Sequence, residues 1–150
     1  MDFYNEIKTK LIENENYSRI KDYSKERYKV QTYFEVGKIL SEAGKQYGEN
    51  IIGKYAEKLQ VEIGKKYTER NLRYMRQFYT TFQDIKWKPV VSKLTWSHFL
   101  IIMPLKDQQK MQYYINRCIE SHLSKRELIN NIKDKEYERL DNKAKQKLIN

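Results

Sequence analysis

Apolar residues recur along this chain at three- and four-residue intervals, the spacing that brings side chains onto one face of an α-helix at about 100° per residue. Phe3, Ile7 and Leu11 form the first stripe and predict a helix over about residues 3–13, with Asp2 as its N-cap. The polar Asn14, Glu15 and Asn16 mark a weak point before a long helical stretch over about residues 17–43. There Val30, Tyr33, Phe34, Gly37, Ile39 and Leu40 make a broad apolar face, and Gly44 is placed to end it in the left-handed conformation. Glycine inside a helix costs about 1 kcal/mol relative to alanine, so Gly37 within that face predicts close approach by another helix. Ile52, Ala56, Leu59 and Ile63 give the stripe of a helix over residues 49–63 that Gly64 stops. Lys65, Lys66 and Tyr67 then form a turn, and Thr68 caps a helix running to about Phe82.

The second half reads the same way. Residues 84–93, with Trp87 and Pro89, are the least regular stretch and are read as a loop. Leu94, Thr95, Trp96, Ser97 and His98 open an apolar helix through Phe99, Leu100, Ile101, Ile102 and Met103, broken near Pro104. Asp107 is placed to cap the next helix, through Met111, Tyr114, Ile115 and Cys118. Ser124 and Glu127 have the capping-box spacing, and a final helix carries Leu128, Ile129 and Ile132. Beyond Tyr137 the chain is almost all charged, so residues 141–150 are expected to be a charged tail or the start of a linker. Two prolines, five glycines and no sustained period-two alternation exclude a sandwich or barrel. The expected fold is all-α, a multi-helix bundle forming one domain over residues 1–140 and containing a helix-turn-helix-like unit.

Composition adds a direction. Thirty Lys+Arg against twenty Asp+Glu give a net charge of +10 and a pI near 9.5, the footprint of a protein whose partner carries phosphates. A coding bias toward Lys, Ile, Asn and Tyr gives the same balance, and only clustering of the charge separates the two readings. The single Cys118 rules out an intramolecular disulfide and any multi-cysteine metal site, which fits a reducing cytoplasm. No apolar run approaches the roughly twenty residues a membrane span needs, and the first residues lack the order of a signal peptide.

The stretch from Tyr47 to Phe82 reads as two short helices joined by a tight basic turn. On the helix after Thr68, Leu72, Met75, Phe78, Tyr79 and Phe82 gather on one side, while Arg70, Arg73, Tyr74, Gln77 and Thr81 gather on the other. A helix of that kind packs with its back and reads with its front. Arg and Gln carry forked donors suited to base edges in a major groove, and Arg also neutralises phosphate. Lys65 and Lys66 in the turn, Lys54 and Lys58 on the preceding helix and Arg76 at the flank complete a set of candidate phosphate contacts for double-stranded DNA. The segment from Gly64 to Leu72 is about two residues longer than the usual helix-turn-helix turn. An ordinary antiparallel helix pair with a solvated arginine face has the same pattern.

Catalytic chemistry finds no comparable support. Glu6, Ile7, Lys8 and Asp84, Ile85, Lys86 match only a fragment of the PD-(D/E)xK pattern, in which carboxylates on strands hold Mg²⁺ and the lysine activates water. His98 and His122 have no acidic or thiol neighbour at zinc-ligand spacing. His98 is read as a core or helix-start residue and His122 as part of a surface turn. No cofactor or metal is expected.

Several strings carry a family resemblance: Tyr47 and Gly48, Gly64 to Thr68, Asn71 and Leu72, Met75 to Tyr79, Leu94 to Phe99, Ser124 to Leu128, and Tyr137 to Leu140. In this order they resemble the N-terminal domain of the YhcG-like family of bacterial proteins, over about residues 17–140. The resemblance implies an all-helical, helix-turn-helix-like module that stands before a C-terminal PD-(D/E)xK nuclease domain in longer relatives. The chain reaches Asn150 about where such a nuclease half would begin, so its catalytic residues have no counterpart and no enzymatic activity is expected. Two functions remain open: a DNA-binding module that targets an associated nuclease domain, and an interaction or homodimerisation domain that uses its tyrosine-rich helices and the segment from Trp87 to His98.

Overall fold

A computed structural model describes residues 2–19, 24–84 and 94–147 of the chain. These residues are helical throughout, with no strand among them: α1 (Phe3–Ser18), α2 (Lys25–Tyr47), α3 (Asn50–Glu62), α4 (Glu69–Phe82), α5 (Trp96–Ile102), a 3₁₀ turn (Met103–Leu105), α6 (Gln108–Ser121), α7 (Lys125–Lys133) and α8 (Asn142–Lys147). The all-α class expected from the periodicity is the class observed. Internal contacts divide the chain into two compact units, Met1–Ile85 and Lys86–Asn150. Most of the stretch read as a loop, residues 85–93 with Trp87 and Pro89, lies outside the described residues.

In the first unit α2 lies against both α1 and α4, and α3 packs on α2 and α4. Ile7, Leu11, Val30, Val36, Leu40, Ile52, Leu59, Leu72 and Phe78 are fully buried between them. Burying one such side chain stabilises the fold by about 1.5–3 kcal/mol. Asp2 caps α1 by accepting from the Asn5 amide at 3.1 Å. That helix runs through the polar Asn14, Glu15 and Asn16 to Ser18, farther than its sequence pattern indicates, and Asn14 is itself buried.

Gly37 behaves as its position requires. A Cβ there would overlap the carbonyl oxygen of Met75 and stand 2.8 Å from its carbonyl carbon and 3.0 Å from Tyr79 Cβ, so the bare Cα is what lets α4 approach α2. Gly44 does not end α2. The helix continues to Tyr47, and Gly48, at φ 89°, terminates it. The added turn is rewarded because it sets the Tyr47 ring edge-on to Phe3, with centroids 6.1 Å apart.

In the second unit, α5 and α6 each pack against the 3₁₀ turn, and α7 packs on α5. Phe99, Ile102, Met111, Tyr114, Ile115 and Leu128 form its core. Asp107 caps α6 by accepting from Gln109 and Lys110, and the capping box of Ser124 and Glu127 is complete. A second capping box lies on α5, where Thr95 Oγ1 accepts from the His98 amide and the His98 ring accepts from the Thr95 amide. His98 is thus a buried helix-start residue, and exposed His122 ends α6 in the left-handed conformation.

Candidate nucleic-acid interface

The α3–turn–α4 segment is held from both sides. Thr68 Oγ1 accepts from the Asn71 amide at 3.2 Å and fixes the start of α4. Leu72, Met75, Phe78 and Phe82 then face inward, while half-buried Tyr79 lies on Phe34 with ring centroids 5.2 Å apart. The back of the helix is therefore as the periodicity requires.

The turn is anchored by a residue that its basic composition concealed. Tyr67 is 1% exposed, and its hydroxyl donates to the Glu15 carboxylate on α1. Lys66 Nζ reaches the same carboxylate at 2.6 Å. Burial alone would raise the Glu15 pKa; the bonds from Lys66 and Tyr67 outweigh it and hold the group below its ordinary value. Burial, reinforced by the bond to Glu15, raises the Tyr67 phenol well above its usual range. Lys66 therefore serves α1 as much as the solvent.

The front of α4 carries carboxylates among its cations. Glu49 stands before the first turn of α3 but makes no cap bond there. It reaches α4 instead, accepting from Arg76 Nη1 at 2.6 Å and Arg73 Nη1 at 3.0 Å, while Arg73 Nε donates to Glu69 at 3.2 Å. The bonds from Arg76 and then Arg73 pull the Glu49 carboxyl down to about 2, and those from Glu49 and Glu69 raise the Arg73 pKa. Arg70 differs from both. It is exposed, its Nε donates to the Tyr74 hydroxyl at 3.1 Å, and its guanidinium lies over that ring, 5.5 Å from the centroid.

The rest of the set is spread around this segment. Half-buried Gln77 shares the front of α4. Lys58 lies over the Tyr4 ring at 4.5 Å. Lys54 and Lys65 are exposed. Among the described residues, Lys54, Lys65 and Arg70 have no carboxylate partner, whereas Lys66, Arg73 and Arg76 do. The surplus of positive charge is also uneven along the chain. Residues 1–85 hold sixteen Lys+Arg and thirteen Asp+Glu, and residues 86–150 hold fourteen and seven. Most of the net positive charge thus belongs to the second unit.

The family profile of the DUF1016 N-terminal domain matches residues 6–139. The chain belongs to this family. The match covers nearly the whole chain and agrees with the YhcG-like resemblance carried by the sequence motifs. The DUF1016 N-terminal domain is one of unknown function, and its span takes in α4 and α7 alike. No curated protein and no solved structure matches the chain. Among the described residues no group of three or more His, Cys, Asp or Glu side chains gathers as metal ligands, and no helix is long and apolar enough to cross a membrane.

Proposed function

We propose that this domain is a DNA-binding module, with no catalytic step of its own, that acts in the cytoplasm and delivers an associated PD-(D/E)xK nuclease domain in longer relatives. The observation that carries the reading is Arg70. It is an exposed guanidinium in the first turn of a capped helix, steadied by Tyr74 and not neutralised by an acid among the described residues. Steadying by stacking and a hydrogen bond reduces the side-chain entropy lost on binding a phosphate or a guanine edge. Lys65 and Lys54 add exposed charge nearby in sequence, and Gln77 and Tyr74 supply neutral donors on the same helix. Arg73 and Arg76 would contribute only as far as a polyanion competes with Glu49 and Glu69.

The rival reading, an interaction or homodimerisation domain, has less support. Leu94 and His98, from the segment assigned to docking, are buried in the second unit. Among the described residues, the large exposed apolar side chains Ile12, Tyr47, Val61 and Ile129 sit on four different helices, and single apolar residues at a surface are ordinary.

The deciding experiment is fluorescence anisotropy of the full chain with a labelled DNA duplex across salt concentrations. The expected result is an affinity that falls steeply with salt, weakened by Arg70→Ala with Lys65→Ala at an unchanged melting temperature. Absence of binding at low salt, with a concentration-dependent dimer in sedimentation, would replace this reading by the rival.

A further inference from the structure

The second unit contains a helix pair joined by a shorter turn than the α3–α4 pair of the first. Three residues, His122, Leu123 and Ser124, join α6 to α7, which is the turn length of a helix-turn-helix. Each has a distinct task. His122, at φ 49° and ψ 47°, takes the left-handed conformation that ends α6 abruptly. Leu123 is buried, and its carbonyl accepts from His98 Nε2 at 2.8 Å. Ser124 Oγ accepts from the Glu127 amide at 3.1 Å, while Glu127 accepts from the Ser124 amide at 3.2 Å.

α7 packs through a narrow back. Leu128 is fully buried, with Asn131 and Ile132 half-buried beside it. At about 100° per residue, Lys125, Ile129, Lys133, Arg126 and Asn130 fall in that order across a continuous front of about 140°. All five are exposed, Ile129 by 42%. None of the three cations has a carboxylate partner among the described residues. Glu127, the only acid on α7, is drawn into the cap, where its bonds to Ser124 hold its pKa below the ordinary value. On α4, by contrast, Glu49 and Glu69 engage two of the three arginines.

We propose that α6 and α7 form a helix-turn-helix whose second helix enters the major groove of duplex DNA, with Arg126 and Asn130 toward base edges and Lys125 and Lys133 on flanking phosphates. The inference rests on the DNA-binding reading above and gives it a second, better exposed surface. Arg is suited to guanine O6 and N7, Asn to adenine N6 and N7, and an exposed Ile to the methyl group of thymine. Duplex RNA provides a sharp contrast, because its major groove is too narrow to admit a helix.

The test compares the full chain with Lys125→Ala/Arg126→Ala/Lys133→Ala and with an equal-charge control, Lys25→Ala/Lys38→Ala/Lys45→Ala, whose residues are exposed on α2. Binding is read by anisotropy on duplex DNA and duplex RNA, and folding by circular dichroism melts. The α7 variant is expected to keep its melting temperature, bind DNA on the order of a hundredfold more weakly at about 0.1 M salt, and show a log–log salt slope shallower by about 2–3. The control is expected to lose less than a tenth of that, and duplex RNA to bind the wild type more weakly than DNA. In case the triple variant melts early, Arg126→Ala alone is expected to weaken binding to the same DNA duplex by about tenfold, and unchanged binding would overturn the assignment to α7. Wild-type binding that the α7 variant retains, that the control loses equally, or that RNA matches would overturn the assignment to α7 while preserving DNA binding. No wild-type binding at low salt would overturn both.

Discussion

The imidazole of His98 ties the start of α5 to the carbonyl of Leu123, 25 residues later, through a bond of 2.8 Å. Its Nδ1 accepts from the Thr95 amide at 3.1 Å, which leaves Nε2 as the nitrogen that donates to Leu123. One buried ring thus fixes a helix start and the α6–α7 turn together. His98→Ala removes both bonds and strands a buried carbonyl. It is expected to lower stability by about 1–3 kcal/mol in a urea titration and to speed amide exchange at residues 124–128. An unchanged exchange rate there would show that the turn holds itself.

Gly37 sets the distance between α2 and α4. Gly37→Ala would push a methyl group into the Met75 carbonyl, and backbone has little room to yield. A loss of about 3 kcal/mol is expected in thermal or denaturant unfolding. Gly53→Ala serves as the comparison, because the group it meets is the flexible end of Glu69. It should be far milder.

Glu49 gives the first unit an acid-sensitive link. Its carboxyl is held at about 2 against an ordinary 4.5, so the contribution of its bonds to Arg76 and Arg73 is complete above about pH 4.5 and is lost as pH falls through about 2. The melting-temperature difference between wild type and Glu49→Gln should therefore be constant above pH 4.5 and close toward pH 2. The same variant releases Arg76 and leaves Arg73 with Glu69 alone, and it is expected to bind duplex DNA more tightly at low salt. Unaltered affinity would remove α4 from the DNA-facing surface.

Cys118 reports on the second unit. The thiol is buried, and burial pushes its pKa to about 11, so a thiol-specific reagent at pH 8 meets a protonated and covered sulfur. Labelling is expected to be negligible in the folded chain and rapid in denaturant. His98→Ala should shorten the labelling half-life, which links this readout to the turn.

Much of this architecture is local in origin, and that part was legible in the sequence. The caps at Asp2, Thr68, Asp107 and Ser124 each depend on a side chain and an amide two or three residues away. Gly37 was legible because glycine in an apolar helical face needs a reason. What escaped depends on partners distant in the chain. Glu49 lies 24 and 27 residues before the two arginines it engages, and Glu15 lies 52 residues before Tyr67, so no periodicity relates them. The end of α2 was misplaced because the contact that rewards its last turn comes from Phe3. The exposed front of α7 was hidden because Ile129 counts as apolar in any pattern, yet Leu128 alone carries the fully buried side.

The contact at Gly37 reaches beyond packing distance. A helix whose carbonyl is seated on a naked Cα cannot roll about its own axis without lifting away from its neighbour. The azimuth of Arg70, Tyr74 and Gln77 is therefore dictated from the opposite helix, and the compass bearing of α4's outer chemistry is set by a residue with no side chain of its own.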